Sequence, residues 1–408
     1  MPDLVLSNAL VLDPAAGRLV PDRHVVVEGG RIVDVADRPP RSAKGPVLDV
    51  RGRVVMPGLC DAHVHVTAVT PDFALLRRWS PTYVTARASH VLRDMLLRGF
   101  TTVRDVGGAD WGLARALEEG HLVGPRLLFA GHAISQTGGH GDMRGPGEDA
   151  EEAVCVHGLG RVADGVAAVR AACREEIRRG ATHLKLMVSG GVASPTDRIT
   201  NTQYSAEEIR AAVEEAEAAG VYVTAHAYTA RAVTRAVENG VRAIEHGNLI
   251  DEATLGVMRA HGAFLIPTLS VVRAVIREGV EAGFPRELRE KMFAISDAGT
   301  RVVEMAQQAG VRLVYGTDLL GSMHRHQLDE FAIRAEVQKP IDVIRSATVV
   351  AAELFRLEGE VGVVAPGARA DLLVVDGDPL ADLGVLRDPG RHLRVIVKDG
   401  VVHKNTLA

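Results

Sequence analysis

Leu59-Cys60-Asp61-Ala62-His63-Val64-His65-Val66 reads as a β-strand that closes on two histidines. Side chains alternate along a strand, so His63 and His65 face one way and Val64 the other. Seven further runs read as strands: 101–106, 126–131, 183–189, 221–227, 242–247, 264–269 and 312–318. Helical stretches separate most of them. The clearest is 205–219, which opens Ser205-Ala206-Glu207-Glu208, a capping box in which Ser205 and Glu208 satisfy each other's free backbone donors. Gly220 stands just after it, where helices often end on a left-handed residue. Eight strands alternating with helices predict an α/β fold, a parallel (β/α)8 TIM-like barrel over residues 58–362.

The two chain ends have a different texture. Residues 1–57 break into short apolar runs, among them His24-Val25-Val26-Val27-Glu28-Gly29-Gly30 followed by Arg31-Ile32-Val33-Asp34-Val35, a hairpin signal. Residues 363–408 repeat that texture in Asp371–Val375 and Val395–Val402. The expectation is a composite β-sandwich made from both ends.

Composition narrows the class of function. Of 408 residues, 47% are hydrophobic and 24% charged, the balance of an ordinary globular protein with a large core. The 47 basic and 52 acidic residues give a net charge of -5, with no basic block or aromatic-basic stripe, so nucleic acid is not an expected partner. No apolar run reaches membrane-spanning length. The first residues, Met1-Pro2-Asp3-Leu4-Val5, lack the charged start and apolar core of a secretion signal. Three cysteines, Cys60, Cys155 and Cys173, form no CxxC and suit neither a disulfide framework nor a thiolate zinc site. A cytoplasmic location is expected.

A barrel gathers its catalytic groups at the C-terminal ends of its strands, and metal-capable side chains stand there. Besides His63 and His65, the fifth strand ends Ala225-His226-Ala227, the sixth Glu245-His246-Gly247 and the eighth Gly316-Thr317-Asp318. One such histidine is usually a satisfied core residue; this many at strand ends, beside an HxH pair, suits a metal centre of the zinc type. Lys185, one of only six lysines, lies in the apolar fourth strand His183-Leu184-Lys185-Leu186-Met187. A buried ammonium is costly and tends to lose its proton. It either snorkels, pairs with a carboxylate such as Asp318, or reacts with CO2 to give a carbamate whose two oxygens can bridge two metals.

This pattern resembles the amidohydrolase superfamily, in its branch with two metals and a carboxylated lysine. The resemblance covers nearly the whole chain, including Met56-Pro57-Gly58-Leu59-Cys60-Asp61-Ala62-His63-Val64-His65 and the closing Gly367-Ala368-Arg369-Ala370-Asp371-Leu372. Within the superfamily it is most similar to the imidazolonepropionase-related group that includes Xaa-Pro dipeptidases (prolidases), on Gln136-Thr137-Gly138-Gly139-His140-Gly141-Asp142, Ser189-Gly190-Gly191-Val192-Ala193-Ser194-Pro195 and Thr224-Ala225-His226-Ala227-Tyr228. The resemblance implies that His63, His65, Lys185 and Asp318 hold one divalent metal, zinc foremost. It implies that His226 and His246, with N6-carboxylated Lys185, hold a second. A hydroxide bridging the two would attack the substrate carbonyl, with Asp318 as general base and then general acid. His140 and Tyr228 would stabilise the oxyanion or bind the substrate, and the chain would form a homo-oligomer.

The expected activity is hydrolysis of an amide or peptide bond in a small substrate: an Xaa-Pro or other dipeptide, or an N-acyl amino acid. A cyclic-amide or N-acyl toxin hydrolase is the alternative on the same site, and a catalytically inactive scaffold is a third reading that the intact ligand positions oppose. His157, Arg161, His324 and His326 are further candidates for substrate contact. Arg104 and Asp105, ending the second strand, read as an ion pair inside the barrel. Glu245 precedes a ligand and by alternation should point away from it. Cys60 reads as a small core residue.

Overall fold

The computed structural model describes residues 2–148, 159–296 and 298–407. The chain divides into two compact units. One is Met1–Asp61 with Arg93–Thr102 and Phe331–Ala408; the other is Ala62–Leu92 with Val103–Glu330.

The first unit is built on one eight-stranded sheet containing both chain ends. Leu4–Asp13 pairs antiparallel with Arg18–Glu28 on one side; on the other, it pairs parallel with Val47–Asp49 through Val5–Ser7 and with Val54–Pro57 through Leu10 and Val11. Val54–Pro57 then pairs antiparallel with Leu372–Val375, which stitches the two ends together. Apolar residues recur two apart in parts of these strands. Leu4, Leu6, Val25, Val27, Leu372 and Val374 share one buried cluster with Ile32 near one sheet edge and Val397 near the other, so the sheet folds over on itself. The Gly29-Gly30 turn, with φ of 57° and 74°, is the two-residue hairpin whose twist matches right-twisted strands.

The second unit carries the barrel. Leu184–Met187, Val223–Thr229, Ala243–Leu249, Phe264–Ile266 and Arg312–Leu313 pair in parallel and in chain order. The strands Leu59–Val64, Phe100–Asp105 and Arg126–Phe129 form the rest of the wall. The third strand runs further than the sequence suggests: after a break it resumes as Ala133–Ser135, which pairs with the fourth through Ile134 and Leu186. Backbone hydrogen bonds close the ring. Ala62 N–H donates to the Tyr315 carbonyl and Asp318 N–H to the His63 carbonyl, each at 2.8 Å. The barrel therefore has eight parallel strands, with helices between them. The helix after the fourth strand is Ala206–Ala218, with Ser205 and Glu208 in the expected capping box and Gly220 at φ 73° beyond its end. Among the described residues, no helix is long and apolar enough to cross a membrane.

Candidate active site

The strand ends bring the histidines together. His63 and His65 lie with ring centroids 5.3 Å apart, His63 and His246 at 5.1 Å, and His226 and His246 at 4.7 Å. Ligand atoms of His63, His246 and Asp318 all fall within 4.8 Å of one another. Asp318 Oδ1 is 3.2 Å from His63 Nε2 and 3.4 Å from His65 Nε2.

Each imidazole has one nitrogen fixed by a neighbour. His63 Nδ1–H donates to Glu245 Oε2 at 2.7 Å, and His65 Nδ1–H to the Gly107 carbonyl at 2.6 Å. His226 Nε2–H donates to the Gly190 carbonyl at 3.1 Å, and His246 Nδ1 is 2.7 Å from Thr268 Oγ1. That leaves Nε2 of His63 and His65 turned to Asp318, and Nε2 of His246 and Nδ1 of His226 as the second nitrogens of the other two rings. This is the preparation that imidazole ligands require, the partner on one nitrogen setting the tautomer of the other. The donor set of four imidazoles, a carboxylate and an amine fits divalent cations of the zinc type.

Glu245 corrects the sequence reading. It does not point away from the clustered histidines. It is fully buried, holds His63, accepts from Arg104 Nη2 at 2.6 Å and touches the Thr224 hydroxyl. His246 has a left-handed backbone, φ 76°, which breaks the two-residue period and turns consecutive side chains into the barrel. Arg104 thus pairs with Glu245 across the barrel rather than with Asp105. Asp105 instead accepts from the backbone N–H of Val66, Gly107 and Ala109, at 2.7, 3.0 and 3.0 Å, and so shapes the loop whose carbonyl holds His65.

Charge is distributed unevenly. Burial alone would raise the Asp318 and Glu245 carboxyls. Their neighbours outweigh it and hold both well below the usual carboxylate range: chiefly His63 for Asp318, and chiefly Arg104, then His63 and Lys185, for Glu245. Burial keeps His226 and His246 far below the ordinary histidine value, so both imidazoles are neutral. His65 is held above it, because Asp318 outweighs burial. Lys185 is 1% exposed, and burial lowers it to about 8 against the attraction of Glu245 and Asp318. Among the described residues no carboxylate forms an ion pair with it, which removes the expected alternative of a direct pair with Asp318.

The cluster opens into a cavity of about 750 Å³, solvent at its mouth included, lined by His65, His226, His246 and Asp318 and also by His140 and Tyr228. His140 stacks on His226 with centroids 4.1 Å apart. Tyr228 stacks on His246 at 5.1 Å, and its backbone N–H donates to Ser189 Oγ at 3.0 Å. Burial, and then the charges of Asp318 and Asp197, push the Tyr228 hydroxyl upward, so it keeps its proton. The remaining candidates are not brought here. Arg161 turns to Glu176, 3.8 Å away, and does not line the cavity. His324 is buried in the short 3-10 helix Gly321–His326 outside the cavity lining, and His326 faces Glu278 and Asp329 at 2.7 and 3.2 Å. His157 and Cys155 lie outside the described residues; Cys60 is a buried free thiol, as expected.

The amidohydrolase family model matches residues 54–402. Ochratoxinase of Aspergillus niger is 29% identical over 394 residues, covering 92% of this chain and 80% of that protein. The crystal structure of a prolidase complexed with N-methylphosphonate-L-proline superimposes with a TM-score of 0.96 at 49% identity, covering 99% of this chain and all of the other. A Xaa-Pro dipeptidase with methionine bound in its active site superimposes with a TM-score of 0.87 at 29% identity, over 98% of this chain and all of the other.

Proposed function

The chain belongs to the amidohydrolase family of hydrolases, and from that premise we propose that it cleaves an amide or peptide bond of a small substrate, using two divalent metal ions, zinc foremost. The observation that carries the reading is the set of four histidines, each with one nitrogen held by a neighbour, gathered at the strand ends with Asp318 and buried Lys185. His63, His65 and Asp318 would hold one ion, His226 and His246 the other, and carboxylated Lys185 would join both. Lys185 suits carboxylation because only its neutral amine attacks CO2, and its lowered pKa raises the neutral fraction near pH 7. When bound, such a pair supplies Lewis acidity, bringing water to a pKa near about 7 and polarising a carbonyl.

The chain's own groups do the rest. Asp318 stays ionised and sits between the first-strand histidines and the cavity, so it can accept a proton from water and return it to the departing nitrogen. That return matters because an amine leaves poorly unless protonated. The Tyr228 hydroxyl, held protonated, is the donor for the developing oxyanion. The cavity wall includes Phe73, Met143, Met187, Phe284, Met292 and Leu320, and no lysine or arginine among the described residues lines it. It therefore favours substrates with a bulky apolar group beside the scissile bond: apolar Xaa-Pro dipeptides and N-acyl amino acids with an aromatic or long aliphatic acyl group.

The test is metal analysis of the purified protein followed by a substrate screen. The expected result is close to two divalent ions per chain, loss of activity on chelation, and turnover of apolar members of an Xaa-Pro and N-acyl amino acid library. Metal content near zero, or no turnover of any amide by the fully loaded protein, would overturn the reading.

A further inference from the structure

A second cavity lies between the barrel wall and three helices, Pro81–Leu97, Trp111–Glu118 and Gly165–Arg178. Its volume is about 800 Å³, solvent at its mouth included, which is within the usual range of small-molecule sites. It shares no lining residue with the cavity at the histidines. Two of its lining residues each bury an oxygen that has no hydrogen-bond partner among the described residues: Glu176 Oε2 and Thr67 Oγ1. Glu176 is 1% exposed and Thr67 5%. Buried polar atoms are nearly always paired, so each marks a place where something else should bond. Bare backbone makes room for both. A Cβ on Gly131 would stand 2.1 Å from Glu176 Oε2, and one on Gly108 would stand 2.1 Å from Thr67 Oγ1. Both glycines line the cavity, with φ of 73° and 123°.

The unmet bonds set the chemistry of a ligand. The other oxygen of Glu176 is already engaged: His132 Nδ1 stands 2.8 Å from Oε1, and Arg161 Nη1 3.8 Å. A carboxylate oxygen only accepts, so the partner of Oε2 must bring a donor. The Thr67 hydroxyl can donate or accept and places no condition on the ligand. Charge then favours a cationic donor. Glu176 and Asp110 both line the cavity, while the lining guanidinium, Arg179, gives its Nε to Glu175 at 2.8 Å. A bond between an ionised donor and an ionised acceptor is about twice as strong as a neutral one. A bare metal ion is a poorer fit. Ligand atoms of His63, His246 and Asp318 converge within 4.8 Å, but among the described residues no such group contains Glu176, His132 or Asp110. Val84, Leu113 and Phe129 give the same cavity a buried apolar wall.

We propose that this cavity is a second binding site, for a small organic ammonium on a compact apolar body. The ammonium bonds to Glu176 Oε2, and the body packs against Val84, Leu113 and Phe129. A carboxylate on the ligand would face Glu176 and Asp110, so simple amines fit and free amino acids do not. Nothing in this assignment depends on the reaction at the histidines.

The probe is para-bromobenzylamine, with the metal-loaded full-length protein. Anomalous scattering from its bromine locates it in soaked crystals, and calorimetry follows its binding in solution. The expected result is bromine in this cavity, with the ammonium within hydrogen-bond distance of Glu176 Oε2. The matching para-bromobenzyl alcohol, which lacks the charge, should bind at least about tenfold more weakly, and para-bromobenzoate should not bind there. Glu176→Gln keeps the shape of the side chain and should weaken amine binding by about tenfold or more. Thr85→Trp, at an exposed position of the cavity wall, should block this site with Glu176 intact, so the heat it removes belongs to this site. A cavity that holds only water, an amine found only at the histidines, or equal binding of amine and alcohol would overturn the proposal. So would amine binding in this cavity that is undiminished in Glu176→Gln.

Discussion

Replacing Lys185 by methionine should make the metal-free protein more stable while abolishing activity. Lys185 is 1% exposed, and burial lowers its pKa from 10.5 to about 8, the attraction of Glu245 and Asp318 offsetting only part of that cost. The sign follows from where the proton is held more tightly. Between about pH 8 and 10.5 the unfolded chain binds more protons than the folded one, so stability rises with pH across that window; below about pH 8 both states are protonated and the full penalty stands. A tenfold change in proton affinity corresponds to about 1.4 kcal/mol, so the drop from 10.5 to about 8 corresponds to about 3 kcal/mol. Methionine has a similar reach, no charge and enough flexibility to fill the space. The assay is urea unfolding of chelator-treated wild type and Lys185→Met in CO2-free buffer. The variant should lead by about 3 kcal/mol near pH 7, and the gap should close toward pH 10.5. No lead near pH 7, or a lead independent of pH, would refute the desolvation argument. A stabilised but inert variant, by contrast, is what a lysine kept for chemistry rather than for folding should give.

Three other substitutions probe separate parts of the site. Glu245→Gln weakens the hold on His63 and leaves the Arg104 guanidinium buried without its carboxylate, both partners being fully buried; it should cost about 3–5 kcal/mol in denaturant unfolding and about 10- to 100-fold in metal affinity by chelator competition. Unchanged affinity would mean that Glu245 does not orient His63. Tyr228→Phe should lower kcat by about 10²- to 10³-fold with metal content intact; an effect on KM alone would move the hydroxyl to the substrate tail. Gly191→Ala puts a Cβ 2.1 Å from the His140 ring; displacing that ring should cost about 10²-fold in kcat/KM, and an active variant would show that His140 is not needed where it stands.

Much of the fold and part of the site are legible in the sequence because they obey local periodicities. Apolar runs ending in His63, His65, His226, His246 and Asp318 mark strand ends, and the helix signal at 205–220 rests on a capping box that closes on itself within four residues. Glu245 is invisible to the same reasoning, since it needs the left-handed turn at His246 that the alternation rule does not foresee. Its partners Arg104 and His63 lie 141 and 182 residues away in the chain. The loop behind His140 is hidden for a related reason: Lys291, on the helix Arg286–Ser296, closes on carbonyls 94 to 100 residues distant, and no spacing rule links a helical lysine to them. Motifs expose the residues that carry chemistry, while the groups that aim those residues depend on the closed barrel.

The backbone at the site points to the same division of labour. His246, Thr268 and Asp318 have φ of 76°, 49° and 55°, a region that costs a residue with a Cβ about 1–3 kcal/mol. Glycine would relieve the strain at each position, yet each side chain is needed: His246 and Asp318 as proposed ligands, Thr268 to hold His246. The strain is sustained by neighbours, as where Asp318 N–H bonds to the His63 carbonyl at 2.8 Å and joins the first and eighth strands. Three strained residues and a desolvated lysine together approach the whole net stability of a typical domain, about 5–15 kcal/mol. An organised empty site is therefore expensive, and a ligand that binds only the folded state offsets the cost: at a thousand times its dissociation constant, about 4 kcal/mol per ion. On the two-metal reading the ions complete the chemistry and also stabilise the geometry that holds them. Chelation should then loosen the ends of the sixth, seventh and eighth strands in hydrogen exchange before it affects the sheet of the first unit; equal loosening of both would mean that the strained residues are held by packing alone.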